Sequence, residues 1–503
     1  MSSRRRFPKH GRSRVLVAIL AASSLTAGCI HDYSLVDEQT EVGGGGSTPA
    51  PGPSPTPNSI DWPVRELCHS DGPGANLVRW VKRAGDSRTQ NLRDLVVDKD
   101  GNVIVVGDFR GRISFGEDEI VSDGGFDQFI AKLDCAGNVI FARGFGSYEN
   151  QELFTRLAVD GAGNIVVAGE LVGTFDFGAG PMAGNASDAF VVKLAPDGSP
   201  LWQWQAGGPG RQLVRAVTVQ PDGRVVVAGY FQGTLPVAGD DLDSVGAHDA
   251  FLVAFDDDGA PQQWRTFGSP LDEFVDGMAC STSGRIAITG VIQDTAAGVS
   301  FGGPTLVSNG GDDAFVAVFD ASLVHSWSAN FGDDGATSYQ NGKRVVFSGE
   351  GLYLLTRVNG SIDFGGGELG PAWNGMGLAR FDWQGHHLAS AMFENIPFAH
   401  GLAVAPNGDV FVGGEFFDEL ALGGPVLFSY GGQDGFFARL SPTFQHRWSR
   451  GFGGSQHDQV FSLAVAPSGA LYVGGNFRDS MMFDDTLLTS AGEADLLILE
   501  ADP

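Results

Sequence analysis

The chain has 503 residues, with 32 Lys and Arg against 60 Asp and Glu for a formal net charge of −28, and it carries 74 Gly and 4 Cys. This acidic balance excludes a groove for nucleic acid or for an anionic membrane, which needs a basic surface, and four cysteines exclude a disulfide-built scaffold. The length suits two or three ordinary domains or one large repeat domain, and abundant Gly points to many short strands and turns.

In chain order, the first feature is a basic head, Arg4, Arg5, Arg6, Lys9, Arg12 and Arg14, before an apolar stretch starting at Val15 to Leu20 and then small residues. It reads as a secretory signal over residues 1–28, too short for a transmembrane helix. Its end, Leu25-Thr26-Ala27-Gly28-Cys29, resembles the bacterial lipoprotein cleavage box, which implies a lipid on Cys29. The segment Ser3 to Lys9 also looks like a twin-arginine export signal, so general and folded export both stay open. Removing residues 1–28 takes six basic and no acidic residues from a net of −28 and leaves −34. Residues 29–75 read as a tether and lead-in, with four glycines from Gly43 to Gly46 and five prolines between Ser47 and Pro57.

From about residue 76 to 503 one pattern recurs. Strands opening on Asp start at Asp127, Asp188, Asp249, Asp313, Asp434 and Asp495, and a degenerate copy without Asp starts at Gly375. The steps are 61, 61, 64, 62, 59 and 61 residues, which means a repeat architecture. Each repeat adds an aromatic strand closing on Gly, such as Trp80 to Gly85 or Trp202 to Gly207. Trp264 before Gly268 is one residue out of register. It also adds an apolar strand such as Leu95 to Asp98, an Asp-Gly or Gly-Asn turn, and a β-branched run such as Val103 to Gly107. No sustained 3.6-residue period occurs, so helix should be nearly absent. Four strands in each of seven repeats predict an all-β, seven-bladed β-propeller with blades of about 61 residues. The surplus over a ~40–45-residue WD-type repeat falls in segments such as Phe109 to Gly125, read as an extra β-excursion on one face of each blade.

The run Leu157 to Gly169, with Asp188-Ala189-Phe190 and the closing Gly207-Gly208, resembles the bacterial SBBP-type β-propeller repeat and more loosely NHL repeats. The resemblance implies secretion and a propeller, and brings no catalytic residues. It also implies that the Leu-Ala-Val-Asp element is the innermost strand and the aromatic strand the outermost. The chain then starts on an outer strand, Val78 to Gly85, and ends on a third strand, Asp495 to Leu499, so the first strand should complete the last blade and remove two exposed edges. The Gly375 repeat, lacking the Asp, is in doubt as a regular blade.

Candidate chemistry is sparse. The recurring aspartates read as turn-fixing residues. The acidic turns Asp98 to Gly101 and Asp256 to Gly259 could offer oxygen ligands to Ca²⁺ but lack a closing Glu, and turn chemistry fits them better. His248, His325, His446 and His457 fall at unrelated offsets, without zinc-ligand spacing. Beyond Cys29, a Cys68–Cys135 disulfide is conceivable, and Cys280 falls on an inner strand as a buried thiol. Arg93, Arg156, Arg215, Lys343, Arg344 and His400, with Asp276, sit just before the inner strands, in loops that reach the mouth of the central channel. Clustered there they would attract a small anion. Alternatively they pair with carboxylates such as Asp94 and Glu152.

These features predict an exported, lipid-anchored, non-enzymatic binding or scaffold module of the bacterial cell envelope, without cofactor, monomeric, for a protein or glycan partner and not for nucleic acid. A channel-mouth lyase or hydrolase and a Ca²⁺-stabilised adhesin are the alternatives.

Overall fold

A computed structural model describes residues 78–502, apart from 117–118, 147–154, 294–296, 336, 350 and 484–485. The signal, Cys29, the tether, Cys68 and Glu152 lie outside the described residues. Each alternating apolar run forms a strand, and each Asp-Gly or Gly-Asn signal turns it back into a hairpin. Four antiparallel strands make a blade. Blade 1 runs Gln90–Val97, Val103–Phe109, Asp127–Leu133 and Val139–Phe145, in that order across the sheet. Blades 2 to 6 begin with the inner strands Thr155–Val159, Gln212–Val219, Glu273–Cys280, Tyr339–Ser348 and Phe398–Val404, and blade 7 with Gln459–Val465. Consecutive inner strands touch around a closed ring, the seventh returning to the first.

The closure expected from the strand phase is present. Val78–Ala84 runs antiparallel to Asp495–Ala501 as the outer strand of blade 7, with Val81 opposite Leu499 and Lys82 opposite Ile498. Arg83 pairs with Asp495 at 3.0 Å, and the Trp80 indole donates to Glu500 at 2.7 Å. The core lies between blades: among the described residues, each of seven apolar clusters draws on two neighbours, including one shared by blades 7 and 1.

The excursions are real but uneven. Blades 1, 3, 6 and 7 carry separate two-stranded ribbons, for example Arg112–Ser114 with Glu119–Val121. In blades 2 and 5 the second and third strands themselves run on into the ribbon, as in Ile165–Phe175 with Met182–Leu194.

The recurring Asp and the closing Gly form one device. Asp127, Asp249, Asp434 and Asp495 each accept the backbone N–H four residues upstream at 2.8 to 2.9 Å. The carboxylate lies against the last Gly of the outer strand. A Cβ on Gly146, Gly207, Gly268, Gly332 or Gly453 would overlap it, and Gly85 meets Asp495 in the same way. Blade 5 explains itself by this rule. It is a regular four-stranded sheet, contrary to the doubt its sequence raised. It lacks the Asp, so the closing Gly is not needed, and an exposed Glu394 stands there instead. The one-residue slip of Trp264 puts it opposite Val253, four residues past Asp249, whereas Trp327 lies opposite Val318, five past Asp313. Such a slip turns the ring to the other face of the sheet.

Candidate site at the inner ring

The inner strands carry a feature hidden from sequence reading. In six blades two residues of the inner strand oppose one of its neighbour, and the extra residue is Arg93, Arg215, Asp276, Lys343, His400 or Phe461. In blade 2 the described pairing, from Thr155 on, shows no such bulge, and Arg156 lies in register opposite Ala168. These residues therefore sit within the strands, not in the preceding loops as expected. A bulge leaves one residue outside the ladder and re-aims its side chain, which makes it look like a loop residue in sequence.

The ring joins some of these residues and separates others. Asp276 is the hub. Its Oδ1 lies 3.0 Å from Arg215 Nη2 and its Oδ2 3.3 Å from Lys343 Nζ, and it also accepts the Asn341 amide at 3.0 Å. Burial opposes its charge, but Lys343, Arg215 and the Asn341 amide outweigh burial and hold the carboxyl well below the usual range. Arg344 Nη1 donates to the Asp276 carbonyl at 3.3 Å. Arg156 donates to the Arg215 carbonyl at 3.1 Å and to the Thr155 carbonyl at 3.2 Å. It keeps some open surface but is ringed by protein. Burial first, then the charges of Arg344 and Arg215, push its pKa down to about 9. Four cations thus crowd one carboxylate.

Arg93 stands apart. It pairs with the buried Asp108 of its own blade, not with Asp94. Asp94 instead accepts the Leu157 N–H of blade 2 at 3.0 Å and the Ser462 hydroxyl of blade 7 at 2.9 Å, stitching three inner strands together. His400 also stands apart, stacked with Phe398 at 6.0 Å and with Phe461 of the next blade at 5.2 Å. The Arg357 guanidinium lies 4.6 Å over Phe398. The ring therefore gathers four cations around Asp276 on blades 2 to 5 and is aromatic on blades 6 and 7. Sequence reading overlooked Phe461, though it stands 61 residues after His400, one repeat further on.

Other candidates resolve into structure. His325, His387 and His446 are not at unrelated offsets: each opens an outer strand, bonds a Ser three residues on at 3.0 to 3.1 Å, and covers a ribbon Gly. The carboxylate of Asp98 is taken up by the N–H groups of Asp100 and Asn102 at 2.9 Å and by Lys132 at 3.0 Å, and Asp256 accepts two turn N–H groups likewise. Among the described residues no group of three or more His, Cys, Asp or Glu is placed to hold a metal ion. Cys135 is disulfide-bonded, and Cys280 is a half-buried thiol whose pKa burial raises to about 11. No helix among the described residues is long and apolar enough to cross a membrane.

A family match over a short segment agrees with the architecture. Residues 220–236 match a β-propeller family described as a domain of unknown function, DUF5122. The regulatory protein FlaEY of Caulobacter vibrioides is 28% identical over 201 residues, 38% of this chain and 21% of its own length. An uncharacterized WD repeat-containing protein, L264, of Acanthamoeba polyphaga mimivirus is 23% identical over 221 residues, 35% of this chain and 16% of its own. The match thus spans about a fifth or less of these curated relatives. Among solved structures, YCF48 bound to D1 peptide aligns over 85% of this chain and 96% of its own, with a TM-score of 0.39 and 9% identity. The chain carries a β-propeller domain.

Proposed function

We propose that the protein is a binding or scaffold module of the bacterial cell envelope, exported, anchored by a lipid on Cys29, monomeric, and of the SBBP propeller type. Its partner is a protein or a glycan, and its engagement is non-enzymatic. One observation carries the binding reading: the fold repeats its structural devices blade after blade, whereas one bulge position of the inner ring carries Arg in blades 1 and 3 but Asp, Lys, His and Phe in blades 4 to 7. A propeller needs no such variation to stand.

The ring's chemistry favours binding over a channel-mouth lyase or hydrolase. Such an enzyme needs a proton donor or acceptor poised near neutral pH. Asp276 is committed to Arg215 and Lys343, and His400 stacks on Phe rings. Two carboxyls that burial raises to about 7, Glu273 and Asp458, are fully buried and taken up by Ser269 and by the Gly454 and Arg478 N–H groups. Arg156, bonded to backbone carbonyls, offers a guanidinium suited to a small carboxylate or phosphate. The disulfide at Cys135 fits an oxidising compartment beyond the cytosol.

Metabolic labelling with a fatty-acid probe tests the anchor. Wild type should be labelled and fractionate with membranes, and Cys29→Ala should do neither. Equal labelling of the two overturns it.

A further inference from the structure

Exposed apolar side chains are not spread evenly over the ribbons. Among the described residues, the ribbons of blades 1 and 3 and their flanks show a few exposed aliphatic residues, Val121, Val245 and Leu271, and no exposed aromatic ring. Blades 5, 6 and 7 show Trp373, 76% exposed, Tyr430, 79% exposed, and Phe428, Met482 and Leu487, each more than half exposed. These side chains belong to one continuous stretch of hydrogen-bonded loops. Ile396 N–H donates to the Asn374 carbonyl, beside Trp373, at 2.9 Å, and the Asn395 amide donates to the Glu419 carbonyl at 2.9 Å. Glu419 is paired with Phe428. Gly431, beside Tyr430, packs on the backbone of Ser455, whose hydroxyl donates to Asp479 at 2.9 Å. Asp479 caps the ribbon in which Met482 faces Leu487.

The belt lies at the end of the ring where the inner strands begin. Antiparallel order puts the ribbons and the blade-to-blade connections on one face, and direct contacts show it: the Arg112 N–H donates to Asp86 and the Ser361 N–H to Asp333. That is the face next to the aromatic half of the ring.

Its border is acidic. Glu368, Glu394, Asp418, Glu419 and Asp479 are exposed around it. From Arg357 to the C-terminus the chain holds six arginines and no lysine. Four of the six are turned elsewhere, Arg357 to Phe398, Arg380 to Tyr353, and Arg439 and Arg447 to Asp409. Large aromatic anchors inside a mainly acidic rim, broken by Arg478 beside Asp479 and by Arg450, are the makings of a protein-binding surface. The rim sets the sign of the partner, because like charge facing it is repelled.

We infer that the aromatic belt of blades 5 to 7 is the docking surface for a basic polypeptide segment with apolar side chains. The inference deepens the binding-module reading and rests on it. Apolar side chains of the partner cover Trp373, Tyr430 and Phe428, and its Lys or Arg side chains meet the acidic rim and the ring faces.

The mature protein would be titrated with a synthetic peptide of alternating Lys and Leu, with its Glu-for-Lys counterpart, and with a neutral β-glucan oligosaccharide, while Trp fluorescence and calorimetry are followed. Binding of the basic peptide alone is expected, weakened at least tenfold by Trp373→Ala with Tyr430→Ala and by raising salt from about 50 to 500 mM. Val121→Ala with Val245→Ala should leave it unchanged. Equal binding by wild type and the aromatic variant overturns the proposal, because it means diffuse attraction to an acidic surface. Binding of the glucan in preference to the peptide, or no binding at all, also overturns it. Neither result touches the inner ring, whose anion binding is read separately through Arg156, so the broader binding reading stands or falls on its own.

Discussion

The outer corner of each blade and the inner ring are built from the same repeat but behave oppositely. At the outer corner one Asp and one Gly recur, the carboxylate fills the space a side chain would take, and where one is missing so is the other. At the inner ring one bulge recurs, but the side chain it presents changes from Arg to Asp to Lys to His to Phe. A position that repeats in chemistry is satisfying the fold. A position that repeats in geometry while changing in chemistry is free to serve something else.

The largest effect should come from breaking what both regions share. A chain beginning at Asp86 loses Val78–Ala84, the buried Trp80 and the Arg83–Asp495 pair, and exposes the edge of Asp495–Ala501. Loss of the cooperative thermal transition, or aggregation on size exclusion, is expected. A melting curve like that of wild type would refute the closure.

Next in size is the hub of the ring. Asp276→Ala removes the carboxylate shared by Arg215 and Lys343 and leaves their charges crowded beside Arg156. A loss of about 3 kcal/mol in urea unfolding is expected. The outer corner should respond less to any one change. Gly207→Ala sets a Cβ against Asp188 and should cost about 1–3 kcal/mol. Adding Asp188→Ala should return part of that, because the two residues are in contact. Glu394→Gly, in the blade without the device, should change stability by no more than about 0.5 kcal/mol.

Acidity separates the two regions further. Burial raises the carboxyls of Asp249 and Asp313, and takes Asp434 and Asp495 to about 6 and Asp458 and Glu273 to about 7. Among the described residues, one oxygen each of Asp313, Asp434 and Asp495 accepts no hydrogen bond. The folded chain holds these protons more tightly than the unfolded chain, so stability should rise as pH falls from about 8 toward 5. Asp276 in the ring, and Asp98 and Asp160 in the turns, are shifted the other way, each by cationic and hydrogen-bonding partners that outweigh burial. Their contribution should be lost as pH falls below the unfolded carboxylate value of about 4. Scanning calorimetry should show a melting temperature a few degrees higher near pH 5 than at pH 8. A flat or rising profile from 5 to 8 would contradict these shifts.

The smallest effect concerns ligand. Inorganic phosphate or glucuronate should bind weakly by calorimetry, the more weakly in higher salt, and Arg156→Ala should reduce binding severalfold. No difference between the two proteins leaves Arg156 a structural residue.

The architecture was legible because it repeats. Seven returns of one pattern fixed the blade count, and the phase of Val78 and Asp495 fixed the closure. The inner ring was only half legible. Arg156, Arg215, Lys343 and Arg344 were found by their position ahead of the apolar residues, and the ring does gather them around Asp276. Arg93 pairs instead with Asp108, and nothing in a single strand shows that contact across the hairpin. Phe461 was overlooked because an aromatic residue in a β-rich sequence looks like core. The shared position of His325, His387 and His446 was missed although the blade spacing carries it.

Closure by the first strand also sets a clock. Arg83 and Asp495 are 412 residues apart in sequence. At roughly 5–20 residues per second of synthesis, the strand that is made first waits about 20 to 80 s for its partner. Until then Val78–Ala84 has neither edge paired and Trp80 has only the blade 1 half of its pocket, while the blades between assemble one against the next. Such a distant contact is slow to form, and the fold stays open until the last seven residues of blade 7 arrive. A truncation anywhere near the C-terminus therefore does not shorten the protein by part of a blade. It leaves two sticky ends in one molecule, free to find each other's counterparts in a neighbour.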